Sequence, residues 1–194
     1  MKYKIIFVFF IFLFFACKSD IKPLVYDKTV DVLDKEIQII HLLLSNENYV
    51  EADKLFEKNL KLYPDNPDLL LLKAYSLLQE KKYTQSEEAY NLLLKKNKAN
   101  PLAYLGLARI YKLTDKFDLA NENIKIGLSY SKFNSHLWFE SGMIDFESQN
   151  YKEALVKFTK ASNLDVKNQD AAFFKYITML KVGREIDEVK SLWT

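Results

Sequence analysis

The stretch PLAYLGLARIYKLTDKFDLANENIKIG, residues 101–127, decides the fold. Tyr104, Leu107, Ala108 and Tyr111 lie at intervals of three and four or side by side, and after a turn Phe117, Ala120, Ile124 and Gly127 repeat the spacing. Such steps keep side chains on one face of an α-helix. The stretch therefore predicts two amphipathic helices joined by a short turn. Small residues at fixed places let antiparallel helices approach closely, and the large ones fill the gap beside them.

The pattern recurs. The step from Pro67 to Pro101, taken again, leads on to Ser135 and Gln169, and taken backwards it reaches Leu33. A bulky residue follows a turn in each window: Tyr49, Tyr83, Phe117 and Tyr151. Three places later comes a small one (Ala52, Ser86, Ala120, Ala154), and four further on a large one (Phe56, Tyr90, Ile124, Phe158). The eighth place of three windows holds Ala74, Ala108 and Gly142. One helix pair of this size cannot bury its apolar face alone, so copies must stack. The windows are 33–66, 67–100, 101–134, 135–168 and an incomplete 169–194.

Over roughly residues 33–194 this pattern resembles the tetratricopeptide repeat. Trp138 and Gly142, then Tyr151-x-x-Ala154-x-x-x-Phe158-x-x-Ala161, form a further copy, and Leu62-Tyr63-Pro64 matches the family's closing proline. The resemblance implies an all-α solenoid of antiparallel helix pairs, a right-handed superhelix of about four and a half to five repeats. Lys73, Ser141 and Asp145 stand where the family prefers larger apolar residues, which predicts looser seams there. In the last window Lys175 and Tyr176 replace the usual Leu-Gly, and a second helix is expected from about Glu185 to Trp193, displaced by one residue. No polar capping helix follows it, so Ile186, Val189, Leu192 and Trp193 are expected to form an apolar edge. Before the first window, Val32, Ile37, Ile40 and Leu44 already have helical spacing, with Thr29 or Asp31 as N-cap of an array spanning 29–194.

The chain of 194 residues is 49% apolar, with 28 basic and 26 acidic side chains. That suffices for a core and gives no reason to expect nucleic-acid binding. The start differs in character: Lys2 and Lys4 precede an unbroken apolar run, Ile5 to Ala16, of 12 residues. A helix needs about 20 to span a bilayer, so the segment reads as a signal peptide, residues 1–16. The only cysteine, Cys17, follows at once. Phe14-Phe15-Ala16-Cys17 resembles a bacterial lipobox, with Phe14 where that family usually has Leu. The resemblance implies lipidation of Cys17 as the mature N-terminus, with residues 17–28, including Pro23, as tether. An ordinary signal peptide or anchor with an incidental cysteine is the other reading. Removing residues 1–16 leaves 26 bases against 26 acids, so membrane affinity would rest on acyl chains.

Catalytic chemistry finds no material. Gly106, Gly127, Gly142 and Gly183 are isolated, which excludes a phosphate-cradling loop. His41 and His136 have no ligand spacing, so no metal, cofactor or catalytic residue is assigned. His41 is expected partly buried beside Leu42–Leu44, and Glu87 with Glu88 on a solvated face. Lys95, Lys96 and Lys98 sit at a helix end, where cations favour the dipole.

By the family resemblance, the second, fifth, ninth, twelfth and thirteenth places of each window line the concave surface. Those places give Leu71, Tyr75 and Leu78 in one window and Leu102, Leu105, Arg109 and Lys112 in the next. Phe139, Met143 and Phe146 follow, then Phe173 and Ile177. Most are apolar, and two readings stand: an open groove for a partner's amphipathic helix or extended segment, or side chains packed on one another in a tightly wound solenoid or under the Lys18–Asp27 tether. Arg109 and Lys112 would add a positive point able to meet a carboxylate. The resulting expectation is a non-enzymatic interaction scaffold, lipid-anchored in a bacterial envelope on the outer-membrane or periplasmic side. Its partner would be another envelope protein, with no small-molecule substrate. That context rests on analogy with lipidated repeat proteins of outer-membrane assembly and pilus-secretin machinery. A homo-oligomer joined through the C-terminal edge is the second expectation, an enzyme subunit a distant third.

Overall fold

The computed structural model describes residues 28–191, with side chains described from 32 to 183. The signal peptide, Cys17 and the tether lie outside the described residues, as do the side chains of Ile186, Val189, Leu192 and Trp193. The chain divides between Lys35 and Glu36 into two units. Of the first, only the opening turns of one helix are described; the second holds the array.

The described residues are helical throughout, apart from turns. The helices are α1 (Lys28–Ser45), α2 (Tyr49–Leu62), α3 (Pro67–Gln79), α4 (Tyr83–Lys96), α5 (Pro101–Leu113), α6 (Phe117–Tyr130), α7 (Ser135–Glu147), α8 (Tyr151–Leu164) and α9 (Gln169–Ser191). Four windows open on the first residue of a helix, and the bulky residues Tyr49, Tyr83, Phe117 and Tyr151 each open the second helix of a pair. Pro64 holds Tyr63 out of helical conformation, and α2 stops at Leu62.

Local chemistry sets these boundaries. Asn66, Asn100 and Asn134 cap α3, α5 and α7 by accepting backbone N–H bonds through their side-chain oxygens, and Asn168 accepts from Ala171 at 2.9 Å at the head of α9. These asparagines recur at the repeat step, a signal that the helix faces alone do not carry. Each turn within a pair carries a left-handed residue: Glu47 (φ 56°), Lys81 (61°), Asp115 (59°) and Gln149 (62°). Thr29 and Asp31 do not cap α1; both lie inside it.

Small residues make the seams. Ala52, Ala74, Ala108, Ala120 and Ala154 are fully buried. Ser86 stands at an alanine place and donates its hydroxyl to the Ala74 carbonyl at 2.7 Å, which removes the cost of burying it. A methyl group at Gly142 would lie 2.7 Å from the ring of Phe158. Between pairs, α4 packs on α5 and α6 on α7, while α3 touches α5 and α5 touches α7 directly. One core cluster joins Leu70, Ala74, Tyr90, Leu93 and Leu107 across two windows.

Four expectations are corrected. The α7–α8 seam is not loose: it is the most extensive contact between described helices. Ser141 is buried there, and Asp145 takes the Lys157 ammonium at 2.5 Å. His41 is exposed, because Ile40 and Leu44 turn inward on α1 and carry it to the outer side. Glu87 is not simply solvated; it accepts the Tyr111 hydroxyl at 2.7 Å. No separate helix begins near Glu185, since α9 runs unbroken to Ser191 and Gly183 keeps negative φ.

Candidate functional site

The first helices of successive pairs lie side by side on one face of the array, as α3, α5 and α7. This face carries the residues expected to line a groove. Tyr75 (38% exposed), Leu102 (42%) and Phe173 (58%) stand open to solvent. Leu71, Met143 and Ile177 are half-buried. Leu78 and Leu105 are buried in the core.

Phe139 and Phe146 are half-buried and pack against the rings of α8 and α9. Phe139 lies 5.6 Å from Phe158 and 5.8 Å from Phe174, centroid to centroid. Phe146 lies 5.7 Å from Phe174 and 5.4 Å from Tyr151, edge-on to both. Edge-to-face rings at such distances are favourable contacts beyond their buried area. The middle of the apolar strip expected from the sequence thus shares its rings with the packing between α7, α8 and α9.

α5 and α7 carry charge as well. Arg109 and Lys112 lie one turn apart on α5 and converge on Glu140 of α7, at 2.9 Å and 2.7 Å. Lys112 also lies 3.5 Å from Glu147. The Glu140 side chain is 4% exposed and that of Lys112 13%, whereas Arg109 keeps 32% of its surface open. Burial of a carboxylate is tolerable only with such partners. Glu140 is the residue that sequence reasoning missed. It stands at a place outside the inward set, and its partners are 31 and 28 positions away, so no local spacing announces it.

Two open pockets meet at Arg109. One, of about 330 Å³, is bounded by Leu78, Lys81, Tyr83, Lys112, Leu113 and Glu140. The other, of about 520 Å³, is bounded by His136, Phe139, Asp165, Lys167, Asn168 and Asp170, with Arg109 as their shared wall. Arg109 can offer a planar set of donors to an anionic group lying across that wall. On the other flank of α5, burial and the bond to Glu87 push the Tyr111 phenol up to about 12. Among the described residues no group of His, Cys, Asp and Glu is placed to hold a metal ion. Nor is any described helix long and apolar enough to cross a membrane.

A family model for the tetratricopeptide repeat matches residues 43–110, the stretch from the end of α1 to Ile110. Window after window, the same helix pair returns with the same seams. Residues 43–110 match the tetratricopeptide repeat, and the described helices have the fold of solved tetratricopeptide-repeat structures. Several superpose on this chain: a tetratricopeptide repeat protein from Parabacteroides merdae at TM-score 0.69 and 21% identity, over 75% of this chain and 57% of that one. The MamA protein follows at 0.60 and 14%, over 81% and 86%. The first repeat domain of Spaghetti (RPAP3), solved with an HSP90 peptide SRMEEVD, superposes at 0.56 and 17%, over 60% and 93%. At these identities the likeness carries the fold. No curated protein matches the sequence.

Proposed function

We propose that this protein is an interaction scaffold whose α3–α5–α7 face binds an extended segment of another protein and performs no chemistry. The observation that carries the reading is the pair of open pockets that share Arg109 as a wall, with Tyr75 of α3 and Leu102 of α5 open to solvent. A fitting segment would set apolar side chains against Tyr75 and Leu102 and a carboxylate against Arg109. The peptide-bound repeat domain of the same fold supports this use of the architecture. We further propose that the scaffold is a lipoprotein of a bacterial envelope, anchored through acylated Cys17, with another envelope protein as its partner. The apolar run ending at Ala16, immediately before the only cysteine, supports the anchor.

Site-specific photocrosslinkers in the native membrane test the binding face. Probes at Tyr75 and Leu102 are expected to trap one common partner, and a probe at Val156 on α8 is not. Equal trapping from all three positions overturns the reading. Fatty-acid labelling tests the anchor: the wild type is expected to incorporate label and Cys17→Ala is not.

A further inference from the structure

The last helix carries an apolar face that nothing described covers. Phe173 (58% exposed), Tyr176 (60%), Met179 (52%) and Leu180 (48%) lie on one side of α9, and Ala172 beside them is exposed too. At about 100° per residue, all of them fall within about 60° of Tyr176. The other side of the helix is occupied. Ala171 and Thr178 are fully buried there, and Phe174 packs on Phe139, Phe146 and Phe158.

Tyr176 says what kind of contact the open face suits. The same place in α3, α5 and α7 holds Ala74, Ala108 and Gly142, and small residues there let a neighbouring helix come close. A tyrosine excludes a seam that close and suits a wider contact between helices. Aromatic side chains and methionine are also the types enriched at protein interfaces.

The face is its own complement. About a two-fold axis at Tyr176, an antiparallel second α9 sets Phe173 opposite Met179 and the small Ala172 opposite Leu180, each contact occurring twice. The charges obey the same axis. Asp170 and Lys181 are both exposed and lie about three turns apart along one flank of the apolar stripe. Antiparallel pairing puts Asp170 of each copy beside Lys181 of the other, within one residue of the mirror place, whereas parallel pairing would set like charges together. Within the chain, neither forms an ion pair among the described residues; the Lys181 ammonium lies 5.8 Å from the Tyr151 ring.

We propose that the open face of α9 is an interface for a second copy of this chain, docked antiparallel about a two-fold axis at Tyr176. Phe173, Tyr176, Met179 and Leu180 form its apolar centre, and the two Asp170–Lys181 pairs fix its direction.

Sedimentation equilibrium of the full chain at low salt, in density-matched detergent micelles, tests it. The expected species is a dimer. Tyr176→Lys should leave monomers of unchanged helicity, because the ring it removes is mostly in solvent. Asp170→Lys and Lys181→Asp, each alone, bring like charges together twice and should weaken the dimer roughly tenfold. Mixing these two variants should restore wild-type affinity, since a lysine then meets an aspartate at both ends. A monomeric wild type overturns the proposal, and a dimer that survives Tyr176→Lys overturns it by joining elsewhere. Single reversals without effect, or a mixture no tighter than its parts, overturn it as well.

Discussion

Tyr90 of α4 lies across Gly106 of α5 so closely that a methyl group at 106 would sit 2.1 Å from the ring's Cζ. The ring is 2% exposed, and burial raises its phenol well above the usual range. The joint between the second and third windows is therefore made by one absent side chain.

Gly106→Ala is expected to destabilise the protein by roughly 1–3 kcal/mol through overpacking, despite alanine's better helix propensity. Urea unfolding checks it. On a Tyr90→Leu background the same change should cost far less, because the atoms in conflict are gone; equal costs on both backgrounds would show that the contact does not set the joint.

The aromatic cluster distinguishes binding from packing. Phe158→Ala should cost about 3–5 kcal/mol, as expected for a fully buried ring. Phe139→Ser and Phe146→Ser should also lower the melting temperature and lose partner capture only in proportion to unfolding. Tyr75→Ser and Leu102→Ser should reverse that order, with capture lost at an unchanged melting temperature. Thermal unfolding beside pull-down for all four serine variants decides which residues face a partner.

The ion cluster predicts an asymmetry. Lys112→Met leaves the Glu140 carboxylate buried with Arg109 as its remaining cation, and should cost about 2 kcal/mol. Glu140→Gln keeps the shape, removes the buried charge and should cost clearly less. Equal losses in chemical denaturation would mean that the carboxylate is better hydrated than its 4% exposure implies.

Acid should weaken the N-terminal end of the array first. Glu36 accepts from Lys58, and from Asn59 at 2.5 Å; the Lys58 bond, then the Asn59 bond, hold its carboxyl below the ordinary 4.5. A group depressed on folding stabilises fully above its unfolded value and loses that contribution as pH falls through the lower folded one. Amide exchange along α2 should therefore quicken below pH 4.5, and Glu36→Gln should flatten that dependence. An unchanged acid profile in the variant would remove Glu36 from the account.

The repeat was legible because each seam needs a small residue opposite a large one at a fixed step, and Ala74, Ala120 and Phe158 advertise it. Helix starts at Pro67 and Pro101 could be read directly, since proline suits the first turn. The groove was harder. Whether Phe139 faces out or in depends on the axial rotation of α7 against α9, and Phe174, in the first turns of α9, supplies the surface that receives it. The pairing of Lys112 with Glu140 is set by stacking of neighbouring pairs, which no spacing within one helix encodes. The apolar run and Cys17 remain a reading of sequence alone.

The caps of α3 and α5 share one form at matching places in successive windows: an asparagine accepting from two backbone N–H groups, and a proline opening the helix. A copy of residues 67–100 spliced after Asn100 would therefore enter with its own Asn-Pro junction and leave through another. It would also bring Tyr90 to meet a following helix, but the one it meets would carry Leu72 in place of Gly106. Duplication is thus permitted by the termini of the unit and opposed by its flank. A copy of the 67–100 unit is accommodated only when a glycine travels with the tyrosine.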